Sequence, residues 1–334
     1  MRAVGNDGPA RPVAVVLGGA GFVGRHVCTV LRAAGWAVTA VVRRAAAAPP
    51  GCGTLRIDAV RADAATLTEA LARLRPTLVV NAAGALWDVT DEELTEGNVT
   101  LVGRLVSAVA ALPGPVRLVH IGSSYEYGSV PGHTALSESA PCAPASGYAR
   151  TKLAGTRTVT GAVRDGRIDA VVLRVTVSVG PYASRHSLLG GLALQLAEQP
   201  GELKLPPIYG VRDLIDVRDV ADAVLAAADA PEVPPVVNIG AGTGVALTDA
   251  VDALIRIAGS TAAVVRTPAP TVRRDAGTGE QPLDIGLALR ELGWSPARTP
   301  ADALRALWDS VAPPADGPGV PLTTLAVDGE SIHG

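Results

Sequence analysis

Phenylalanine and methionine occur once each in 334 residues, aromatic side chains make up 3% of the chain, and neither sign of charge dominates. A net charge of -3 without any long Lys/Arg block leaves no basic surface for nucleic acid. There are three cysteines, Cys28, Cys52 and Cys142, in neither a CxxC pair nor a cluster, and the five histidines form no HExxH. That usage argues against a disulfide framework and a zinc site, so no metal is expected, and a reducing cytoplasm fits best. No uninterrupted apolar run reaches the roughly 18 residues of a membrane span, and no membrane partner is expected. Between Arg2 and Arg11 lie five polar or turn-prone residues, Gly5 to Pro9, ahead of an apolar run that enters a glycine turn rather than a cleavage site. This start reads as a short disordered leader, not a signal peptide.

What is abundant is aliphatic and glycine: 48% of residues are hydrophobic and 37 are glycine. Strand-like runs fall at Pro12 to Leu17, Trp36 to Val42, Thr54 to Ile57, Thr77 to Asn81, Val116 to Ile121, Ala170 to Val175 and Pro235 to Ile239. Helical periodicity fits Phe22 to Ala34, Leu67 to Leu74, Glu93 to Ala111, Tyr148 to Arg164 and Val217 to Ala228. Alternation of this kind predicts an α/β fold, a doubly wound parallel Rossmann-type sheet covered on both faces. The regularity weakens after Gly180. Residues 11–180 plus 213–240 are expected to form the dinucleotide-binding domain, and residues 181–212 plus 241–312 a smaller, mixed, largely helical C-terminal substrate lobe. Residues 313–334 read as a tail.

Gly18, Gly21 and Gly24 stand between the first strand and the first helix, with Phe22 and Val23 opening that helix. Such a turn needs glycine where φ is positive and where phosphate meets backbone, and the helix N-terminus then offers unpaired N–H groups to the anion. Arg43 and Arg44 end strand two, where an acid would bind the NAD ribose and an arginine can pair with the 2′-phosphate of NADP. NADP(H) is therefore favoured and NAD(H) is the other option; a solvated arginine pair is the alternative reading. Asp58 or Asp63 would flank the adenine or simply close a turn. Ala82, Ala83 and Gly84 after strand four are small enough to admit the cofactor, and Asn98 would tether the next helix or bond locally.

Tyr148 and Lys152 are one helical turn apart and share a face. A neighbouring ammonium favours phenolate, which would bring a phenol toward acid–base work on a carbonyl, and the lysine would also hold ribose hydroxyls. Ser123, after strand five, could bind the substrate oxygen as charge develops, with Ser124 touching substrate. Glu126 would contact a hexose hydroxyl or organise the loop. Trp87 would line the cleft or fill the core, and Cys142 is read as packing rather than as a nucleophile.

Together with Leu173-Arg174, Gly180-Pro181, Arg212-Asp213-Leu214-Ile215-Asp216-Val217-Arg218-Asp219-Val220, Asn238-Ile239-Gly240-Ala241-Gly242 and Leu289-Arg290-Glu291-Leu292-Gly293-Trp294-Ser295-Pro296, these features resemble the extended short-chain dehydrogenase/reductase family over about residues 13–309. The resemblance implies a catalytic trio of Ser123, Tyr148 and Lys152, and a C-terminal lobe that binds a nucleotide-linked ketosugar, GDP- or dTDP-linked, with Arg212 and Arg274 at its diphosphate. The Gly122-to-Gly128 and Arg212-to-Asp219 segments most resemble 4-keto-6-deoxyhexose 4-reductases. Sugar 4,6-dehydratases commonly carry Asp-Glu where this chain has Ser124-Tyr125, which weakens that reading. An epimerase would use the same trio with tightly held NAD(P), and a cofactor sensor without turnover is the non-enzymatic alternative. Many relatives dimerise through two helices, here Glu93 to Ala111 and Tyr148 to Arg164, so a homodimer is expected. Val177 and Val179 depart from the Asn and Tyr of many relatives.

Overall fold

Short β-branched runs without polar alternation are stable as strands only when both sheet faces are covered. The computed structural model describes residues 11–43, 48–86, 89–130, 135–199, 201–267 and 281–312. In it, seven such runs form one parallel sheet: β1 (Val13–Leu17), β2 (Ala37–Val42), β3 (Gly53–Arg56), β4 (Leu78–Asn81), β5 (Arg117–Ser123), β6 (Asp169–Val175) and β10 (Val236–Ile239). Their order is β10-β6-β5-β4-β1-β2-β3, with every neighbouring pair parallel. The order in which strands are added to the sheet reverses between β1 and β4, and the crevice at such a switch point is where α/β sheets bind ligands.

Alternate residues of each strand serve opposite cores. Ala14 and Val16 of β1 pack with Val27 and Leu31 of α1 (Phe22–Ala33) and with Val220 and Val224 of α7 (Val217–Asp229). Val15 and Leu17 pack on the other face with α2 (Ala64–Leu74), α4 (Leu101–Ala110) and α5 (Gly147–Arg164). Asp63 is the N-cap of α2, accepting from the Thr66 N–H at 2.8 Å, so its carboxylate closes that helix.

The single helix expected over Glu93 to Ala111 is divided. It comprises α3 (Asp91–Thr95), a π-helical turn at Glu96–Thr100 and then α4. The wide turn brings backbone against neighbours that leave no room for side chains: a Cβ on Gly97 would lie 3.1 Å from that of Ala85, and one on Gly155 of α5 would lie 2.5 Å from the Asn98 carbonyl oxygen.

After Gly180 the chain contains more strand than its sequence pattern suggests. β7 (Val177–Val179), β9 (Val211–Asp216) and β11 (Gly244–Ala246) form a mixed sheet, and β8 (Glu202–Leu205) pairs in parallel with β12 (Ala263–Arg266). Polar residues interrupt β8 at Lys204 and β9 at Arg212 and Asp213, and β12 is apolar in sequence yet wholly exposed. Their core is completed by α6 (Leu188–Ala197), α8 (Leu247–Ile257) and α10 (Pro300–Asp309), where Leu192, Leu214, Leu254 and Leu307 meet. α9 (Gly286–Leu292) and Trp294 pack instead on the core of the main sheet.

Of three aspartates spaced three apart, in and just after β9, the first and third attach separate parts of the chain to one another and the second caps a helix. Asp213 accepts from the backbone N–H groups of Ala241 (2.7 Å), Gly242 (3.1 Å) and Leu283 (3.0 Å). Asp216 caps α7 and binds the Arg218 guanidinium at 2.6 and 2.9 Å. Asp219 accepts from the N–H groups of Ala297 and Arg298 and from the Arg298 guanidinium, while its carbonyl receives the Trp294 indole N–H at 3.1 Å.

Asp219→Ala leaves the backbone donors of Ala297 and Arg298 without their acceptor and the Arg298 guanidinium with Asp222 alone, and a loss of about 3 kcal/mol in unfolding free energy is expected. Urea denaturation measures it; a loss below about 1 kcal/mol would show that apolar packing alone holds residues 294–298 in place.

Candidate active site

The turn after β1 is built so that backbone meets backbone. Gly18 has φ +72°, and a Cβ there would lie 2.8 Å from both the Ala82 carbonyl oxygen and the Ala83 nitrogen at the end of β4. A Cβ on Gly24 would lie 2.1 Å from the Gly18 carbonyl oxygen. Gly21 is the exposed N-cap of α1 and gives no side-chain cap, and the first turn of α1 contains no acidic residue. Twelve residues of helix thus direct free N–H groups and a positive dipole end into the crevice, which fits the phosphates of a dinucleotide.

Around this turn the structure gathers several of the expected residues. Ala82 and Ala83 abut Gly18, and the oxygen of the Asn98 side chain lies 2.9 Å from where a Cβ on Gly84 would be. Asn98 is buried; it accepts from the Ala85 N–H at 3.1 Å and donates to the Ala85 carbonyl at 3.0 Å and to Thr151 Oγ1 at 3.2 Å. Its amide therefore ties the segment after β4 to α5. Phe22 and Val23 are half-buried in the first turn of α1. Arg43 is exposed just beyond β2. Asp58, half-buried, accepts from the Val60 N–H at 3.2 Å and faces Arg61 at 3.9 Å, closing a turn after β3. Arg44, Trp87 and Arg274 lie outside the described residues.

Across the crevice, Ser123 ends β5, and Tyr148 and Lys152 stand on the first turns of α5, capped by Ser146. The Ser123 side chain lies near enough to the Tyr148 phenol to favour its ionised form. Burial nevertheless raises the phenol above its ordinary range; the serine opposes this, while Tyr125 and Glu126 add to it. The phenol therefore stands above its ordinary range rather than below it, desolvation being the largest cause. Lys152 directs its Nζ to the Ile121 carbonyl at 2.6 Å, and burial lowers its own pKa to about 8, with Glu126 acting upward. The Tyr125 ring meets the Tyr148 ring edge to face, with centroids 5.9 Å apart.

Beside the trio opens a cleft lined by Ser124, Tyr125, Thr176, Val177, Arg212 and Gln281. Ser124 and Arg212 thus line the same cleft, and one Arg212 nitrogen donates to the Val211 carbonyl at 2.7 Å. Glu126 is not there. It is fully buried, accepting from the Ser123 N–H and from Thr156 Oγ1, each at 2.9 Å, and from Arg174 Nε at 2.9 Å. Its expected contact with a hexose hydroxyl is therefore corrected to organisation of the loop, since all its reach is spent inside the protein. Val177 faces the cleft, whereas Val179 is in the second lobe's core. Burial raises the Cys142 thiol, which suits packing rather than nucleophilic attack. Among the described residues no group of His, Cys, Asp or Glu is placed to hold a metal, and no helix is long and apolar enough to cross a membrane.

Sequence reasoning missed several supports. The His26 ring lies 3.0 Å from the Pro181 carbonyl, and the Arg25 guanidinium sits 4.1 Å from the Tyr182 ring centroid, fastening α1 to the turn after β7. The Tyr127 hydroxyl donates to the Asn238 side chain at 2.7 Å across 111 positions of sequence, a pairing for which no local pattern gives a signal. Asp213 belonged to a quoted motif, but its acceptor role needs the folded loop.

A family model described as the NAD dependent epimerase/dehydratase family matches residues 14–240. The chain is 42% identical over 316 residues, 91% of itself and 97% of the relative, to a dTDP-6-deoxy-L-talose 4-dehydrogenase (NAD(P)(+)) of Kitasatospora kifunensis. It is 28% identical over 238 residues to a UDP-glucose 4-epimerase of Streptomyces lividans, covering 66% of this chain and 70% of that one. Among solved structures, Thermus thermophilus UDP-glucose 4-epimerase in complex with NAD aligns with a TM-score of 0.78 at 26% identity, over 90% of this chain and 98% of the other.

Gly24→Ala forces a methyl into the Gly18 backbone beneath the phosphate-facing turn. Affinity for NADH or NADPH, read by titrating nicotinamide fluorescence, is expected to fall about 100-fold, or ~2.7 kcal/mol. Unchanged affinity in the folded variant would remove this turn from the binding site.

Proposed function

The chain belongs to the NAD-dependent epimerase/dehydratase family of extended short-chain dehydrogenase/reductases, NAD(P)-dependent enzymes of nucleotide sugars, and we propose that it reduces the C4 ketone of a dTDP-linked 4-keto-6-deoxyhexose. The observation that carries this reading is the Tyr148 phenol, held protonated by burial near Ser123 and beside a cleft that presents Ser124 and Tyr125 instead of a pair of acids. A neutral phenol is the form that gives a proton to a carbonyl oxygen. The relative named for the C4 alcohol of a dTDP-6-deoxyhexose, 42% identical, supports both the carbon and the nucleotide, its named direction being the reverse of the one proposed.

In this reading the sheet domain, 11–180 plus 213–240, holds the dinucleotide, and the lobe of 181–212 plus 241–312 holds the nucleotide sugar. Gly18, Gly21 and Gly24 with the first turn of α1 bind the diphosphate, and Arg43 supports NADPH over NADH because it stands where an NAD site needs an acid. When bound, the nicotinamide supplies the hydride that reduces the ketone. Ser123 donates a hydrogen bond to the carbonyl oxygen as negative charge grows on it. Tyr148 transfers its hydroxyl proton to that oxygen, and the Lys152 ammonium stabilises the phenolate left behind and binds ribose hydroxyls. Arg212 meets the sugar-nucleotide diphosphate.

The test is a panel of dTDP-, GDP- and UDP-linked 4-ketohexoses with NADPH and NADH, with the product's stereochemistry identified. Stoichiometric nicotinamide oxidation with a dTDP-ketosugar is expected. Interconversion of two epimers without added reductant would replace this reading with the epimerase one. Tyr148→Phe is expected to lower kcat by about 10³-fold, the range of a lost general acid.

The pH profile provides a second check. Lys152 is lowered from 10.5 to about 8, so its ammonium form is complete well below pH 8 and is lost as pH rises through that value. The kcat/KM of the free enzyme should accordingly fall on the alkaline side from near pH 8; a plateau extending to pH 10 would contradict it.

A further inference from the structure

We propose that Glu126 is a positioning residue that fixes Ser123 and sustains the ammonium charge of Lys152, with Arg174 as the counter-ion that makes a buried carboxylate tenable there. The proposal rests on the reading of Ser123, Tyr148 and Lys152 as the reacting set. Its geometry is independent of any substrate. One oxygen of Glu126 receives both the Ser123 N–H and the Thr156 hydroxyl, and the other receives Arg174 Nε, each at 2.9 Å. Thr156 and Lys152 are four residues apart on α5, so the residue whose hydroxyl grips the carboxylate lies one turn from Lys152 on the same face. The carboxylate thus holds the backbone of one reacting residue and is anchored one helical turn from another.

The pair is built into the interior rather than onto the surface. The Arg174 side chain is 6% exposed and Glu126 0%, and the guanidinium sits 4.6 Å from the Tyr127 ring centroid. An apolar pair of similar volume would serve the fold about as well. It could neither accept from the Ser123 N–H nor place negative charge near Lys152.

The other groups facing this region do not substitute for it. Tyr148 on α5 is a protonated phenol, and Arg174 on β6 is positive. His120 on β5 is kept neutral, because burial and the nearby Lys152 hold its pKa well below the usual value; its Nδ1 lies 3.0 Å from the Asn81 amide nitrogen. Among the described residues, Glu126 is the carboxylate that acts on Lys152.

The chain makes a direct test practical, because Lys152 and Lys204 are its only lysines. Protein grown with lysine labelled at Cε with carbon-13 gives two resonances, and K204R leaves that of Lys152 alone. In this background E126Q is expected to lower the Lys152 titration midpoint by about one pH unit, tenfold in the protonation equilibrium, and to move the alkaline limb of kcat/KM with it. Glu126→Gln orphans the buried guanidinium, so E126Q/R174Q, which removes both charges, is measured alongside and is expected to shift the same way. A folded E126Q or double variant that keeps the wild-type midpoint overturns the proposal. The midpoint needs no substrate, so inactivity of the wild-type enzyme on every ketosugar would count against the proposed reaction and leave this measurement standing.

Discussion

Two chain segments, the turn after β1 and the end of β4, meet backbone to backbone at the point where the order of strand addition reverses, and the rest of the molecule is arranged around that contact. Gly18 permits it, because any side chain there would strike Ala82 and Ala83 as well as requiring a strained positive φ. Gly24 then lets the first turn of α1 settle directly onto Gly18. Once those atoms are in contact, the N-terminus of α1 must point along the C-terminal edge of the sheet. The second face of the crevice follows from the Asn98 amide, whose bonds to Ala85 and Thr151 join the segment after β4 to the helix that bears Tyr148 and Lys152.

A site divided between two lobes needs each lobe held in register with the sheet, and carboxylates do much of this in β9 and α7. Asp213 gathers three backbone donors from two distant loops, and Gly240 must lack a side chain because a Cβ there would lie 2.6 Å from an Asp213 oxygen. Asp219 does the same for residues 294–298. Multiple hydrogen bonds to a buried carboxylate offset its desolvation and fix direction as well as distance. The consequence for function is positional. Arg212, adjacent to Asp213, reaches the cleft because Asp213 fastens the loops on either side of it.

The legibility of this molecule from sequence followed the range of the interactions concerned. The main-sheet strands and the glycine turn announce themselves within windows of ten residues, since burial on both faces demands continuous apolar runs in every strand but the exposed edge strand β3, and a phosphate turn demands glycine at fixed spacing. Ser123, Tyr148 and Lys152 were legible as types and spacing. What was hidden depended on partners far away in the chain. Glu126 looks like a polar loop residue until Arg174, 48 positions on, is seen opposite it. The π-helical turn at Glu96–Thr100 was invisible because Gly97 and Gly155 respond to close approach rather than to local propensity. The small sheets of the second lobe escaped because exposed three- and four-residue strands carry no apolar period.

The same distinction explains why the acid–base assignment could not be completed from Tyr148 and Lys152 alone. Spacing places an ammonium near a phenol and suggests that the phenol is made more acidic. Folding adds desolvation, which disfavours charge on both: the phenol rises while the lysine falls to about 8. Two buried groups that each resist ionisation would form a poor proton-transfer pair unless something nearby favoured the charged lysine. Glu126 is that element, and it can remain a buried anion only because Arg174 and Thr156 satisfy it. The catalytic character of the YxxxK segment is therefore set partly by a carboxylate 22 residues before its tyrosine, located on the turn that also carries Ser123.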